Sequence, residues 1–210
     1  MPEFLNIGIF ASGRGSNFRA ILESIKAGKT KNARITLVIS NNSGAGALQT
    51  ARENSIPALH ISRMQFTSDD DYTKALFNAL EDHEVNFIVL AGYMKKIDPC
   101  IVRKFKNRIL NIHPALLPKY GGDGMFGRHV HEAVIASHDP VSGATVHIVD
   151  EEYDHGSIVL QKKVPVGPAD TAESLAEKVL AIEHQLYPEA IRLFAEGKVT
   201  FKNGKTEISR

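Results

Sequence analysis

The feature that most constrains the fold of this sequence is the alternation of short apolar runs with longer amphipathic stretches in its first half. The apolar runs are short enough to be single buried strands. Polar turns follow them, and then hydrophobic residues at helical spacing, as with Phe18, Ile21, Leu22 and Ile25. Neighbouring parallel strands need a crossover between them, which is usually a helix. The pattern therefore predicts an α/β fold, namely a doubly wound, mostly parallel sheet with helices on both faces.

The same pattern places the individual elements. Strands are predicted at residues 5–11, 34–40, 58–61, 86–91 and 108–112. Helices are predicted at residues 18–26, 45–54 and 68–83, and from Pro99 onward. In the second half, residues 145–149 and 157–165 are predicted to pair around an acidic turn, and residues 171–196 to form a long helix. Without a repeat or linker, residues 1–210 are predicted to form one domain, with a polar tail from about residue 200 that adds a short strand.

The composition excludes several classes of function. Lys and Arg total 25 and Asp and Glu total 24, so the net charge of +1 provides no field that would attract nucleic acid or an anionic membrane. No run approaches 18 apolar residues, and the first residues resemble a strand more than a signal peptide. The single cysteine, Cys100, cannot form an intrachain disulfide. We therefore expect a cytoplasmic monomer or homodimer that acts on small molecules.

A glycine-rich turn, Gly13–Asn17, separates the first strand from the first helix, where doubly wound folds often bind anions. A dinucleotide fingerprint would need glycine at Phe18 and an acid near residues 41–42, which are both Asn. The Gly-Lys-Ser/Thr of nucleotide hydrolases is also absent. The turn is therefore either a plain tight turn or a monophosphate site formed by Gly15, Ser16 and Asn17.

The segment Asn111–Pro114 ends a predicted inner strand. Asn111 and His113 are two residues apart, so they share one face of the strand. An amide and an imidazole side by side can stabilise an oxyanion, although a structural Asn and a core His are the commoner case for such a pair. A carboxylate of the acidic turn at residues 150–156 that reached His113 would favour the protonated imidazole. The alternative for that turn is a solvated hairpin.

Two further hypotheses concern a metal site at the histidines and a lid in a glycine-dense segment. No zinc-type spacing links the histidines at positions 113, 129, 131, 147 and 155, so no metal is predicted. The glycine-dense segment 119–127 follows the predicted Asn-x-His strand. It is either a mobile lid or an ordinary surface loop.

Several motifs occur in a characteristic order, and together they resemble the folate-dependent phosphoribosylglycinamide formyltransferases of purine synthesis. The segments are Ser12-Gly-Arg-Gly-Ser-Asn17, Val89-Leu-Ala-Gly-Tyr-Met94, Leu110-Asn-Ile-His-Pro-Ala-Leu-Leu-Pro-Lys119, Gly143-Ala-Thr-Val-His147 and Asp154-His-Gly156 with Ile158-Val-Leu-Gln161. The resemblance extends from about Leu5 to Val199. It implies a Rossmann-like formyltransferase fold and formyl transfer from 10-formyltetrahydrofolate as co-substrate, without a metal.

The resemblance also implies roles for particular residues. Asn111, His113 and Asp154 would be catalytic, with Asp154 holding His113 in its charged form. Gly15, Ser16 and Asn17 would bind the phosphate of the ribonucleotide, and Glu183 its ribose hydroxyls. The folate pocket would be formed by Met94, Lys95, Lys96, Ile97, Asn111, Asp150 and Asp154.

Sister families and local departures limit what the resemblance implies. Methionyl-tRNA formyltransferases carry an additional C-terminal domain and formyltetrahydrofolate hydrolases an N-terminal one, and neither is expected in these 210 residues. The family often has a basic residue near the folate glutamate tail, where this chain has the acidic stretch 67–71, so Arg63 or Lys95 would have to substitute. The loop at residues 121–130 is longer than in some members. Hydrolysis of formyl-folate, another amine acceptor and a catalytically silent binding module remain alternatives.

Overall fold

A computed structural model describes residues 4–209 and contains two sheets with helices around the larger one. The strands of the larger sheet are β1 (Leu5–Phe10), β2 (Ala33–Ser40), β3 (Ala58–His60), β4 (Phe87–Leu90), β5 (Ile109–His113), β6 (Val141–Ile148) and β7 (Ile158–Pro165). The helices are α1 (Ser16–Lys26), α2 (Gly46–Glu53), α3 (Asp69–Asp82), α4 (Pro99–Lys104), α5 (Arg128–Ala136) and α6 (Ala172–Ala195), with a short 3₁₀ turn at Arg63–Gln65.

The order of the strands confirms the predicted doubly wound sheet. The seven strands lie in the order β3-β2-β1-β4-β5-β6-β7, and β1 to β5 are all parallel to one another. β6 and β7 form an antiparallel extension at the β5 edge. The order reverses between β1 and β4, which is where open α/β sheets leave a crevice for ligands at the carboxyl ends of their strands.

Two apolar layers cover the two faces of the sheet. One packs strand residues such as Ile7 and Val89 against α1, α5 and α6, with Phe18 and Tyr187 at its centre. The other packs the opposite strand faces against α3 and α4. Burial on both faces explains why the inner strands are continuous apolar runs without polar alternation.

Helix α6 is fixed in place over the sheet by one buried tyrosine. The hydroxyl of Tyr187 donates towards the carbonyl oxygens of Leu90 (3.1 Å), the last residue of β4, and Leu110 (2.9 Å), the second residue of β5. Glu183 precedes Tyr187 by one helical turn, so it lies on the same face of α6. Its carboxylate is thereby carried to the carboxyl edge of the sheet.

Three local expectations are corrected by the structure. β5 runs from 109 to 113, so His113 is the last residue of the strand rather than the residue after it. Residues 128–136, which were not predicted to be helical, form α5, where Val130 and Val134 are buried on one face. The tail contains two strands, β8 (Val199–Lys202) and β9 (Lys205–Ile208), instead of one.

The tail hairpin is attached to the main sheet by side-chain hydrogen bonds. The backbone N–H of Thr206 donates to Ser157 Oγ at 2.7 Å, next to the start of β7. This attachment explains why a polar segment is ordered as strands. Between residues 4 and 209, the structure has no helix that is both long and apolar enough to cross a membrane.

Candidate active site

A cavity of about 500 Å³ opens at the carboxyl ends of β4 and β5. Residues from both strand ends, from the N-terminal part of α1, from the buried face of α6 and from the segment that leads into α5 form its walls. Asn111, His113 and Asp154 all line it. The structure therefore brings the predicted catalytic trio together, although Asp154 is 41 residues from His113 in the sequence.

His113 is held at both ring nitrogens and is only 3% exposed. Its Nε2 lies 2.7 Å from the carbonyl oxygen of Tyr120, which can only accept, so Nε2 carries a hydrogen. Its Nδ1 lies 3.3 Å from Asp154 Oδ2. This arrangement fixes the orientation of the ring and places a hydrogen-bond acceptor at each of its two nitrogens.

Opposing effects act on the pKa of His113. Burial lowers the pKa of His113, and this effect outweighs the Asp154 carboxylate and the Tyr120 carbonyl, which both raise it. Asp154 and the Tyr120 carbonyl thus act against burial, and the protonated His113 that the resemblance implies stays a prediction. Asp154 still favours the charged form, so it stabilises the imidazolium once a proton arrives.

Asp154 reaches the cavity from the acidic turn in a left-handed backbone conformation (φ 54°). Its Oδ2 accepts a hydrogen bond from the backbone N–H of Gly122 at 3.0 Å. Burial raises the pKa of Asp154, but the contacts with His147, His113 and this N–H outweigh it and bring the pKa below its usual value. Asp154 is therefore an ionised carboxylate at neutral pH.

The orientation of Asn111 is set by His147, a residue that the sequence did not single out as functional. The two residues are opposite each other in the antiparallel β5–β6 pair. His147 Nδ1 lies 2.8 Å from the carbonyl oxygen of Ile148 and so carries the hydrogen, which leaves Nε2 to accept from Asn111 Nδ2 at 3.0 Å. The amide group of Asn111 therefore presents its N–H₂ side to this corner, where Nδ2 is also 3.5 Å from Asp154 Oδ1.

These contacts define what Asn111, His113 and Asp154 can do chemically. The Asn111 amide can donate to a developing oxyanion, because His147 fixes its orientation. His113, with Asp154 beside it, can act in proton transfer to and from a reacting group. Both functions are located at the end of one strand, which is a rigid support for them.

At the α1 side of the cavity, Asn17 and Glu183 form a buried polar pair. Asn17 Nδ2 donates to Glu183 Oε2 at 2.7 Å. Burial raises the pKa of Glu183 to about 7, and the Asn17 hydrogen bond offsets only part of that rise. Asn17 Oδ1 is buried without a hydrogen-bond partner within the described chain, which leaves it available to a ligand.

Comparison with known proteins places this geometry in a family. The sequence model of the family described as "Formyl transferase" matches residues 5–191. The chain belongs to the formyl transferase family.

Individual relatives cover the chain to different extents. A protein of Haemophilus influenzae named phosphoribosylglycinamide formyltransferase is 38% identical over 197 residues, which are 94% of this chain and 90% of that protein. A chloroplastic phosphoribosylglycinamide formyltransferase of Vigna unguiculata is 43% identical over 196 residues, but the match spans only 62% of its length. The crystal structure of glycinamide ribonucleotide transformylase 1 from Symbiobacterium toebii superposes with a TM-score of 0.91 at 38% identity, covering 98% of this chain and 94% of that one.

Not every residue proposed from the resemblance to formyl transferases lines the cavity. Asn17, Glu183, Met94 and Lys95 do, together with the catalytic trio. Gly15, Ser16, Lys96, Ile97 and Asp150 are outside its walls. Ile97 is buried in the layer under α3 and α4, and Lys96 lies 5.1 Å from the centre of the Tyr153 ring.

The glycine-rich turn contributes to the formyl transferase site through Ser12. The hydroxyl of Ser12 accepts a hydrogen bond from the backbone N–H of Met94 at 2.8 Å and donates to Asn41 Oδ1 at 2.5 Å. It therefore connects the end of β1 to the wall segment that follows β4. No pattern in the sequence indicated this link, because it joins residues that are 82 positions apart.

The segment before α5 adds wall residues to this formyl transferase that sequence reasoning described only as a loop. Gly122 contacts Asp154, and Met125, Phe126 and Gly127 line the cavity. Among residues 4–209, no group of three or more His, Cys, Asp or Glu side chains is arranged to hold a metal ion.

Proposed function

We propose that this protein transfers the formyl group of 10-formyltetrahydrofolate to the amine of 5'-phosphoribosylglycinamide, a step of purine biosynthesis. The observation that carries the proposal is the convergence of Asn111, His113 and Asp154 in one cavity. The names of the Haemophilus and Symbiobacterium relatives support the choice of acceptor.

The chemistry follows from the two fixed side chains. The acceptor amine attacks the formyl carbon, a C–N bond forms, and the carbonyl oxygen becomes an oxyanion. The Asn111 amide donates to that oxygen, while the His113–Asp154 pair removes a proton from the amine. The resulting imidazolium is stabilised by Asp154. Its positive charge lies beside the oxyanion and also stabilises it. When the bond to N10 of the folate breaks, His113 returns the proton to N10.

The two substrates would occupy opposite ends of the cavity. We place the ribose hydroxyls of the acceptor at Glu183 and its phosphate at the N-terminus of α1, with Gly15, Ser16 and Asn17 as donors. The folate would lie against Met94 and Lys95, with Lys96, Ile97 and Asp150 in the supporting segments. The side chains of Met94 and Tyr153 are about half exposed at this end, where an aromatic ring could cover them.

A turnover assay on purified protein tests the proposal. Loss of 10-formyltetrahydrofolate should require phosphoribosylglycinamide and should yield the formylated product. His113→Ala and Asn111→Ala should each lower kcat by on the order of 10²–10³. His83→Ala is the matched control, because His83 lies at the end of α3 and is outside the walls of the cavity.

The assay also separates the alternatives. Folate turnover without acceptor would indicate a hydrolase, turnover with other amines a different transferase, and binding without turnover a silent module. Near-normal turnover in His113→Ala would refute the assignment of His113. A cytoplasmic location and a monomeric or homodimeric state stay predictions, and the Vigna relative is named as chloroplastic.

A further inference from the structure

Two motif segments of the sequence, residues 143–147 and 158–161, contain side chains to which the proposed reaction gives no role. Thr145 and Gln161 belong to these segments, and both are outside the walls of the cavity. Thr145 is nonetheless fully buried, and its hydroxyl forms three hydrogen bonds. A buried hydroxyl whose bonds are all satisfied holds the groups around it in one arrangement.

Thr145 and Gln161 lie in one row of the sheet with His113. Thr145 is directly opposite His113 in the β5–β6 pair, and Gln161 is directly opposite Thr145 in the β6–β7 pair. Side chains of directly opposite residues are neighbours on one face of a sheet. Residues 115–117, which follow β5, lie against this row and can therefore be held by it.

Both side chains bind the backbone of residues 115–117. The hydroxyl of Thr145 donates to the carbonyl oxygen of Ala115 at 2.6 Å and accepts from the backbone N–H of Leu117 at 3.1 Å. The amide of Gln161 donates to the carbonyl oxygen of Leu117 at 3.0 Å and to Thr145 Oγ1 at 2.9 Å. Leu117 is thus held at both of its backbone polar groups.

The side chain of Leu117 in turn packs against Gly121. A Cβ on Gly121 would lie only 2.6 Å from Leu117 Cδ2 and 3.1 Å from the Cβ of Asp154, so this close approach requires glycine. Gly121 separates the two residues whose main-chain groups contact His113 and Asp154, namely Tyr120 and Gly122. A shift of Leu117 would therefore displace these two contacts as well.

We propose that Thr145 and Gln161 are positioning residues for His113, which act by holding Leu117 and thereby the Tyr120 carbonyl that accepts from His113 Nε2. For its effect on turnover, this inference rests on the proposed function. Its effect on the His113 ring does not depend on the reaction, so the two can be measured separately.

The pKa of His113 distinguishes a positioning role from a purely structural one. The Tyr120 carbonyl raises this pKa, so a displaced carbonyl should leave it lower. Thr145 and Gln161 carry no charge, and replacing them removes no charge beside His113. The titratable groups that interact with His113 stay in place, namely Asp154 from the acidic turn, His147 from β6 and His131 from α5.

A pair of variants at Thr145 tests the proposal. Thr145→Val keeps the shape of the side chain and removes the hydroxyl, whereas Thr145→Ser keeps the hydroxyl. In Thr145→Val, kcat should fall about 5- to 10-fold, the effect of one hydrogen bond, while KM for both substrates changes little. The pKa of His113, measured by nuclear magnetic resonance titration of the ring, should be lower. Thr145→Ser should restore kcat and the pKa of His113 to near those of the unmodified protein.

Gln161→Met provides a second test at an exposed position, and it carries the comparison if Thr145→Val does not fold. It removes the amide that donates to Leu117, so kcat and the pKa of His113 should change in the same directions. Two matched controls should change neither quantity. Thr30→Val removes another buried hydroxyl, bonded to Ser24 Oγ at 2.8 Å, and Gln49→Met removes another exposed amide, bonded to Glu53.

The outcomes are distinguishable from those of the turnover assay on the unmodified protein. An unchanged pKa of His113 in both Thr145→Val and Gln161→Met would overturn the inference, even if the protein formylates phosphoribosylglycinamide and both variants unfold at a lower temperature. Equal losses of kcat in Thr145→Ser and Thr145→Val would also overturn it. A lowered pKa of His113 in variants of a protein without formyl transfer would retain the positioning role and reject the proposed function.

Discussion

The Nε2 atom of His113 lies 2.7 Å from the backbone carbonyl oxygen of Tyr120. This contact places a hydrogen on Nε2, while Nδ1 faces Asp154. The position of that carbonyl is in turn set by the Tyr120 side chain. Its hydroxyl is bonded to Ser137 and lies 2.5 Å from Asp139 Oδ2, and Asp139 also pairs with Lys119.

Removing the Tyr120 hydroxyl should therefore change the pKa of His113, although His113 itself is not substituted. Tyr120→Phe removes the hydroxyl anchor, and we expect kcat to fall about 5- to 10-fold, the effect of one hydrogen bond. Because the Tyr120 carbonyl raises the pKa of His113, the acid limb of the kcat/KM profile should move to lower pH. Tyr72→Phe, which removes a hydroxyl contact to Tyr93, is the control. An unchanged pH profile in Tyr120→Phe would contradict the anchoring role.

Asp154→Asn tests the carboxylate that raises the pKa of His113 against the lowering effect of burial. The carboxylate raises the pKa of His113, so its loss should lower that pKa further. We expect kcat to fall by at least on the order of 10²-fold, because the imidazolium formed during proton transfer loses its counter-charge. Nuclear magnetic resonance titration of the histidine ring would measure the pKa directly. A rise in the pKa of His113 in Asp154→Asn would be incompatible with this account, and Asp82→Asn serves as a remote carboxylate control.

His147→Leu tests whether the Asn111 amide needs its acceptor. Without His147 Nε2, the amide can rotate away from the oxyanion position, so kcat should fall by about 5- to 10-fold while KM for either substrate changes little. The double variant with Asn111→Ala separates orientation from general destabilisation. In that background His147→Leu should retain only the smaller part of its effect on kcat that acts through Asp154, whose Oδ1 lies 3.5 Å from His147 Nε2. Additive losses would show that His147 acts independently of Asn111.

Glu183→Gln should change how stability depends on pH. Burial raises the pKa of Glu183 from 4.5 to about 7, so the unfolded chain releases this proton at lower pH than the folded one. Folding is therefore penalised as pH rises from about 4.5 to above 7, by up to on the order of 3 kcal/mol. We expect Glu183→Gln to raise Tm at pH 8 but to change it little at pH 4.5. The same Tm difference at both pH values would show that this carboxyl is not the source of the penalty.

Much of the architecture was readable from the sequence because it depends on local patterns. The alternation of apolar runs and amphipathic stretches predicted the parallel sheet, and the two-residue spacing predicted the shared face of Asn111 and His113. Helix α5 was missed because glycines crowd the segment before it and its apolar stripe is short. The extra strand in the tail depends on Thr206 and Ser157, which are 49 residues apart.

Only those parts of the site that depend on the identity of a side chain could be predicted from the sequence. Asn111, His113 and Asp154 were identified from a strand end and from motif order. The charge of His113 stays a prediction, because the strength of burial depends on what packs around the ring, which no motif records. The Tyr120 contact was missed because it uses a main-chain carbonyl, and every residue has one.

That backbone contact has a consequence for how this loop can evolve. The segment after β5 contacts His113 and Asp154 through two main-chain groups, the carbonyl of Tyr120 and the N–H of Gly122. Side chains further along, such as Met125 and Phe126, can therefore vary in size and polarity without altering the proton chemistry. Natural variation or directed selection at those two positions offers a way to adjust substrate preference while the reaction itself is preserved.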